Sequence, residues 1–184
     1  MSQAGNSDGA KRFLEALEAL QSGSFSALEP AFTAAGDVVS AKGDAIPNCD
    51  IVEWFELGMF DNHPVAAAEA LSCACFLGRT SAVAYLLRRG LDPNRGDRTW
   101  MNGVHWAVNR GNYEMVQLLL KHGIELERRS GHGTTALGTA VWSLLHEPSA
   151  DHPAIVSALL QAGARRDSVS LPTGNATLDA LLAS

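Results

Sequence analysis

The 184-residue sequence predicts an all-α solenoid, in which short helix pairs stack side by side around a lengthwise core. The interval from Gly78 to Gly111, 33 positions, recurs between Val83 and Val116. Around each glycine the sequence reads as two short apolar segments, for example "ALSCACFLGRTSAVAYLLRRG", which predicts a helix, a turn and a second helix. Because so short a pair cannot bury its apolar face alone, the repetition predicts that neighbouring pairs stack.

Residues 1–36 are predicted to form an N-terminal cap. The segment "FLEALEALQSGSFSALEPAFTAAGD" places apolar residues around Gly23 as a degenerate helix pair would, and Pro30 falls inside its second helix. Terminal units with a polar outer side seal the ends of a solenoid, which is the role we expect here.

Residues 37–62 do not fit the repeat interval and are predicted to be an irregular, acidic insertion. Its centre, "CDIVEWFELGMF", predicts a helix from about residue 49 to 59, with Ile51, Val52, Phe55 and Met59 on an apolar stripe. The remaining side chains are expected to form an acidic, partly apolar ledge that either attracts a basic partner or only covers the first repeat. The ledge comprises Asp50, Glu53, Trp54, Glu56 and Leu57.

Three repeat units follow, at residues 63–94, 95–129 and 130–167. In the third unit Leu137 keeps the repeat interval after Val104, but Gly163 stands 40 positions after Gly123, so seven residues are inserted between its two helices. The segment "GNATLDALLAS" starts a further unit and stops after one helix, so residues 168–184 are predicted to be a C-terminal cap. The predicted core contains the paired leucines Leu86, Leu87, Leu119, Leu120, Leu159 and Leu160.

These units resemble ankyrin repeats, whose pattern G-x-T-P-L-H-x-A-x-x-x-G-x-x-x-x-V-x-x-L-L-x-x-G-A-x-x-N fits over roughly residues 63–167. The resemblance implies an ankyrin-repeat solenoid with degenerate terminal caps and one irregular acidic insertion. In the Thr-Pro-Leu-His stretch the units read "EALS", "NGVH" and "TALG". His105 occupies the family's histidine position, and the resemblance implies that it braces neighbouring loops.

Composition and charge narrow the class of partner. The net charge is −6, and residues 1–66 hold three basic residues against ten acidic ones. Because nucleic-acid binding needs clustered Lys and Arg, we expect no nucleic-acid partner. No apolar run approaches eighteen residues, and the N-terminus lacks a basic segment followed by an apolar one. We therefore expect no membrane association and a cytoplasmic location, with which three cysteines in no disulfide pattern agree.

The sequence contains no recognisable catalytic constellation. Cys73 and Cys75, two residues apart on a helix, point some 200° away from each other, so we expect no metal site and no cofactor. The loop "SGHGTTALG" is rich in glycine and hydroxyls but lacks a lysine in the phosphate position, and turn chemistry accounts for it. The chain is therefore not predicted to be an enzyme.

Two functions remain open. The resemblance implies a non-catalytic module that binds another protein through its concave face and loop tips. The acidic ledge suggests that this protein is basic. Such a module would act as an inhibitor, immunity protein or adaptor. The alternative is a small-molecule sensor or enzyme whose pocket lies between the irregular segments at residues 37–62 and 144–152.

The candidate binding residues follow from the repeat register. In ankyrin-like units the loop tip and the end of the first helix project from the concave side. The residues one repeat interval before and after Asn109 are both aromatic, Phe76 and Trp142. Aromatic and arginine side chains often dominate interfaces. The candidates are Phe76, Arg98, Thr99, Trp100, Met101, Asn109, Arg110 and Trp142, with Glu53 and Trp54 from the acidic ledge.

Overall fold

The computed structural model describes residues 4–33, 37–39, 45–96 and 101–183. Its regular structure is almost entirely helical, which confirms the predicted fold class. The helices are α1 (Ala4–Ser22), α2 (Asp50–Glu56), α3 (Pro64–Phe76), α4 (Thr80–Arg88), α5 (Gly103–Asn109), α6 (Tyr113–Lys121), α7 (Ala136–His146), α8 (His152–Gln161) and α9 (Ala176–Ala183). Short 3-10 helices span Phe25–Phe32 and Arg166–Ser168. Two three-residue strands, β1 (Asp37–Val39) and β2 (Ala45–Pro47), pair antiparallel with Asp37 opposite Pro47.

The helices form two layers. The first helices of the units pack in a row, α1 on α3, α3 on α5 and α5 on α7, while α4, α6 and α8 form the second row beneath them. Within each unit the two helices also contact each other, as α3 contacts α4 and α7 contacts α8. We call the side formed by α3, α5, α7 and the loops that precede them the first-helix face.

The core runs lengthwise between these layers. Leu86, Leu119 and Leu159, equivalent residues of the three second helices, are all fully buried, and their neighbours Leu120 and Leu160 are half-buried. Burying a leucine contributes about 1.5–3 kcal/mol relative to leaving it exposed. The stacked leucines therefore hold neighbouring units together.

Glycine ends the first helix in the first and second units. Gly78 and Gly111 have φ of 67° and 64°, values that a side chain disfavours, and the backbone then turns directly into α4 or α6. In the third unit the seven-residue insertion replaces this tight turn. It is fixed to the second unit because the Nε2–H of buried His152 donates to the Val108 carbonyl at 3.0 Å, while Ser149 N–H donates to His152 Nδ1 at 2.8 Å.

The loops between units are linked by one repeated hydrogen bond. Glu125 N–H donates to Asn94 Oδ1 at 2.7 Å, and Arg165 N–H donates to Glu127 Oε1 at 2.8 Å. Asn94 and Glu127 occupy equivalent positions of successive units, and the two bonds span 31 and 38 residues. The seven-residue difference is the insertion, so the same contact is kept although the side chain and the spacing both change.

His105 braces neighbouring loops, as the resemblance implies. Its Nε2–H donates to the Thr134 carbonyl of the next unit at 3.1 Å, and burial lowers the pKa of its imidazole. In the first unit the equivalent residue, Ser72, donates from Oγ to the Gly96 carbonyl at 2.9 Å. In the first unit a serine therefore replaces the histidine and keeps the brace, whereas the equivalent residue of the third unit is Gly138, which has no side chain.

Candidate partner-binding surface

The first-helix face carries a cleft of about 500 Å³ between the second and third units. The side chains come from α5, from α7 and from the loops that precede these helices. This cleft is large enough for an amino-acid side chain or a small ligand. It is lined by Met101, Asn109, Ser130, His132, Thr134, Thr139 and Trp142.

Trp142 is the aromatic wall of the cleft. It lies on α7, and 45% of its side chain is exposed although its helix neighbours Val141 and Ser143 are buried. One turn later His146 stacks on the indole ring, with centroids 4.8 Å apart and planes inclined by 16°. His146 Nδ1–H donates to the Trp142 carbonyl at 2.8 Å, so the helix itself orients both rings.

Three hydroxyls form a row at the base of the cleft. Ser130 Oγ lies 2.9 Å from Thr134 Oγ1, which lies 3.0 Å from Thr139 Oγ1. Ser130 Oγ also accepts the N–H groups of His132, at 3.2 Å, and Thr134, at 3.4 Å, which folds the loop over its own backbone. The cleft therefore joins a neutral polar base to an aromatic wall.

Beside the cleft, Phe76 of the first unit belongs to an aromatic cluster. Its ring meets Trp106 edge to face at 4.9 Å and Phe25 of the N-terminal cap at 5.9 Å, between centroids. The Arg110 guanidinium lies over the Phe76 ring, 4.8 Å from its centroid. Since Arg110 is exposed, it presents a cation held in place by an aromatic face.

Comparison with known proteins agrees with this architecture. A family model described as ankyrin repeats in three copies matches residues 71–169, more than half of the chain. The chain belongs to the ankyrin-repeat family. This membership confirms the recognition made from the glycines, valines and paired leucines of the sequence. Ankyrin repeats are generally protein–protein interaction modules, and their fold is typically non-catalytic.

The relatives match only part of this chain. The chain is 43% identical over 54 residues to Ankyrin repeat and SOCS box protein 6 of Mus musculus, covering 29% of this chain and 13% of that protein. It is 39% identical over 59 residues to the 2-5A-dependent ribonuclease of Mus musculus (32% and 8%), and 28% identical over 116 residues to potassium channel AKT2/3 of Arabidopsis thaliana (59% and 14%). The chain therefore spans at most 14% of the length of these three relatives.

The ankyrin repeats bring some of the predicted site residues together. Met101, Asn109 and Trp142 line the same cleft, while Phe76 and Arg110 contact each other in the neighbouring aromatic cluster. Phe76 is half-buried, and its ring contacts Phe25 and Trp106. Three further candidates, Arg98, Thr99 and Trp100, lie outside the described residues.

The expectation that Trp54 is exposed on the acidic ledge is wrong. Trp54 is only 4% exposed, and its ring meets Phe13 of α1 edge to face at 5.4 Å between centroids. Trp54 lies three residues after the buried Ile51, so the same side of α2 carries both. An aromatic residue that α1 covers cannot contact a partner without unfolding this end of the solenoid.

The rest of the ledge is partly neutralised within the chain. Asp50 forms an ion pair with Arg12, and Glu56 forms one with Arg89 at 3.4 Å. Glu53 is exposed, and Leu57 is 67% exposed beside it. The proposed attraction for a basic partner therefore depends on Glu53 more than on a continuous acidic surface.

Sequence reasoning missed the hydroxyl base of the cleft. Ser130, His132, Thr134 and Thr139 lie in or next to the segment assigned to turn chemistry alone. The sequence contains one weak indication of this feature, because Thr139 is a polar residue at a buried position of a helix. What the sequence could not supply is that the loop folds back so that all three hydroxyls meet.

The structure offers little support for the alternative of a pocket between residues 37–62 and 144–152. A second cleft, of about 270 Å³, is lined by Phe25, Phe76 and Trp106 among others, and a third, of about 380 Å³, includes Arg12, Asp50 and Trp54. None of these three clefts in the described part of the chain is lined by residues of both irregular segments.

The two buried cysteines of α3 do not form a reactive site. Burial raises the pKa of the Cys73 and Cys75 thiols above their usual range, so both stay protonated and are poor nucleophiles. Across the described ranges there is no group of three or more His, Cys, Asp or Glu side chains placed to hold a metal ion. Nor does any helix in those ranges have the length and apolar character needed to cross a membrane.

Proposed function

We propose that this chain is a non-catalytic interaction module that binds a partner protein through its first-helix face, which the family resemblance makes the concave side. The observation that carries the proposal is Trp142, a large aromatic side chain left 45% exposed at the wall of a cleft. Tryptophan and arginine are the residues that most often supply the binding energy of an interface. An exposed tryptophan beside a preformed cleft suits that role.

Arg110 extends the proposed surface toward the first unit. It is exposed and held over Phe76 on the same face as the cleft. A guanidinium fixed in this way loses less conformational entropy on binding than a freely rotating one. The proposed surface therefore comprises Met101, Asn109, Arg110 and Trp142, with Phe76 as the support of Arg110.

The wider biological role is a proposal on the same footing. We propose that such a module acts as an inhibitor, an immunity protein or an adaptor in the cytoplasm; the exposed aromatic side chain at the wall of the cleft supports a role in binding another protein. The exposed Glu53 adds the proposal that the partner has a basic region.

Quantitative capture from the native cell tests the binding face. Tagged wild-type protein, Trp142→Ala and Tyr113→Ala are compared, with the folding of each variant checked by circular dichroism. Tyr113 is a matched control because it is also a partly exposed aromatic residue, at 38%, but lies on α6 in the second layer. We expect Trp142→Ala to weaken capture of the partner by at least about 30-fold, as for a residue that dominates an interface.

The control decides the outcome. A partner retained by Tyr113→Ala and lost by Trp142→Ala supports the proposed face. If capture depends on Tyr113 and not on Trp142, the second-helix side binds the partner and the proposal is wrong.

A further inference from the structure

We propose that the cleft between the second and third units binds a tyrosine side chain of the partner protein, with the phenol hydroxyl hydrogen-bonded to Thr139. This inference rests on the proposed function and specifies the chemistry of its central contact. It follows from the hydroxyl row, which leaves one proton without an acceptor, and from the absence of Lys, Arg, Asp and Glu among the described residues that line the cleft.

The direction of the hydroxyl row begins at Ser130. A serine hydroxyl has one proton and two lone pairs. Both lone pairs of Ser130 Oγ accept backbone N–H groups, from His132 and Thr134, so its proton is left to donate to Thr134 Oγ1 at 2.9 Å. Thr134 Oγ1 lies 3.0 Å from Thr139 Oγ1, and one hydrogen bond between these two hydroxyls uses only one of their two protons.

One of the two threonine protons is therefore left with no acceptor among the described residues. Because a row of hydroxyls that all donate in the same direction is stabilised by mutual polarisation, we place this proton on Thr139, at the end of the row. The side chain is only 7% exposed, yet it lines the cleft. Leaving a buried donor unpaired costs about 1–3 kcal/mol, so this proton needs an acceptor. Solvent can supply one in the unbound protein, and a ligand that displaces this solvent must replace the bond.

Asn109 provides the complementary group. Its Nδ2 donates to Ser143 Oγ at 3.4 Å, which leaves Oδ1 able to accept a hydrogen bond. Asn109 lines the same cleft as Thr139. A group that accepts from a hydroxyl and donates to an amide oxygen suits this pair, and a hydroxyl group does both.

The other residues that line the cleft favour a ligand with an uncharged aromatic ring. Trp142 and Met101 supply an aromatic face and a polarisable thioether, which pack well against a ring. The described lining residues include no Lys, Arg, Asp or Glu. A charged side chain would lose its hydration there without gaining a partner, whereas a neutral phenol is complementary to the cleft.

Two small probes test the inference without the partner. N-acetyl-L-tyrosinamide and N-acetyl-L-phenylalaninamide differ only in the hydroxyl. Each is titrated into the full chain, and the Thr139 methyl and Trp142 indole N–H resonances are followed by NMR. We expect saturable shifts at roughly millimolar tyrosinamide, and about fivefold to tenfold weaker binding of phenylalaninamide, which lacks the hydroxyl that contacts Thr139 and Asn109.

Variants assign the difference to Thr139. In Thr139→Val, which keeps the shape of the side chain, tyrosinamide should lose much of its preference over phenylalaninamide, because only the contact with Asn109 remains. Thr139→Ser should keep the preference. Equal binding of the two probes to the wild type, or no saturable shift at the cleft up to the solubility limit, would overturn the inference. Since that comparison needs no variant, a folding defect in Thr139→Val leaves it decisive.

The two proposals fail separately. If capture of the partner depends on Trp142 but the probes are not discriminated, the binding face stands and the tyrosine pocket does not. If tyrosinamide is preferred but no captured protein depends on Trp142, the cleft recognises phenols and the proposed protein-binding face is wrong.

Discussion

A single methyl group added at Gly111 tests how the seven-residue insertion of the third unit packs on the second. Gly111 ends α5 at φ 64°, and a Cβ placed there would lie 2.1 Å from Ser149 Oγ and 2.9 Å from Ser149 Cβ. Gly123 has a similar φ of 74°, but a Cβ there would meet nothing within 4 Å. The pair separates the backbone strain of a left-handed conformation from steric conflict with the insertion.

The expected magnitudes follow from these distances. An alanine in the left-handed region costs about 1–2 kcal/mol, and the lower entropy of its unfolded chain offsets about 0.4–1 kcal/mol. Gly123→Ala should therefore destabilise by about 1 kcal/mol. Gly111→Ala carries the same cost plus about 1–3 kcal/mol of overpacking against Ser149, and should lose about 2–4 kcal/mol.

Urea unfolding followed by circular dichroism measures both variants, and a double-mutant cycle isolates the contact. Ser149→Gly removes both clashing atoms, and its buried hydroxyl has no hydrogen-bond partner among the described residues to lose. Combined with Gly111→Ala, it should recover most of the steric part and leave a loss similar to that of Gly123→Ala. If Gly111→Ala and Gly123→Ala destabilise equally, the insertion does not pack against the end of α5 as described.

Three further predictions concern the core, a buried histidine and the ledge. Leu119→Ala should lower the free energy of unfolding in urea by about 2–5 kcal/mol, because Leu119 is fully buried in the central unit. Glu114 is exposed, so Glu114→Ala should change that free energy by no more than about 0.5 kcal/mol. The reverse order would contradict the assigned faces of α6. Burial lowers the pKa of His105 below 6.5, so the contribution of neutral His105 to stability is complete above about pH 6.5 and is lost as the pH falls below that value. Plots of unfolding free energy against pH for wild type and His105→Gln should therefore converge on acidification. Parallel plots would disprove this role of His105. With a basic partner, Glu53→Lys should slow association most at low salt, and a stopped-flow rate indifferent to both charge and salt would remove the ledge from the interface.

The sequence was sufficient for the helices and the core because the repeat interval is expressed directly in residue types. Each second helix repeats a valine and two leucines in the same register, and this register locates the fully buried valine and first leucine of all three units. The second leucine is only half-buried in two of them, as Leu120 and Leu160. The hydrogen bonds between loops could not be predicted from the residue types in the same way. Asn94 and Glu127 make the same contact with different side chains, and only the coordinates show that an amide and a carboxylate serve one role.

The structure brings together predicted site residues that were chosen from the repeat register, whereas Trp54, chosen from the pattern of one helix, is buried. Asn109 and Trp142, at equivalent positions of successive units, do line one cleft. Trp54 was misplaced because its cover comes from Phe13, far earlier in the chain, and the periodicity of α2 cannot reveal that contact. The hydroxyl row was missed for the same reason, since it depends on how a loop folds back.

One repeat position thus has three different surroundings, and the ends of the solenoid decide which is available for binding. Phe76, Asn109 and Trp142 are equivalent residues of three first helices. Phe76 is half-buried because the N-terminal cap brings Phe25 against it, and Asn109 is half-buried beside the third unit. Trp142 has its own helix neighbour, His146, stacked on it, and remains exposed. The same register position therefore packs against the cap at one end and is exposed at the other, so a partner that depends on Trp142 should be indifferent to changes in the N-terminal cap that leave the solenoid folded.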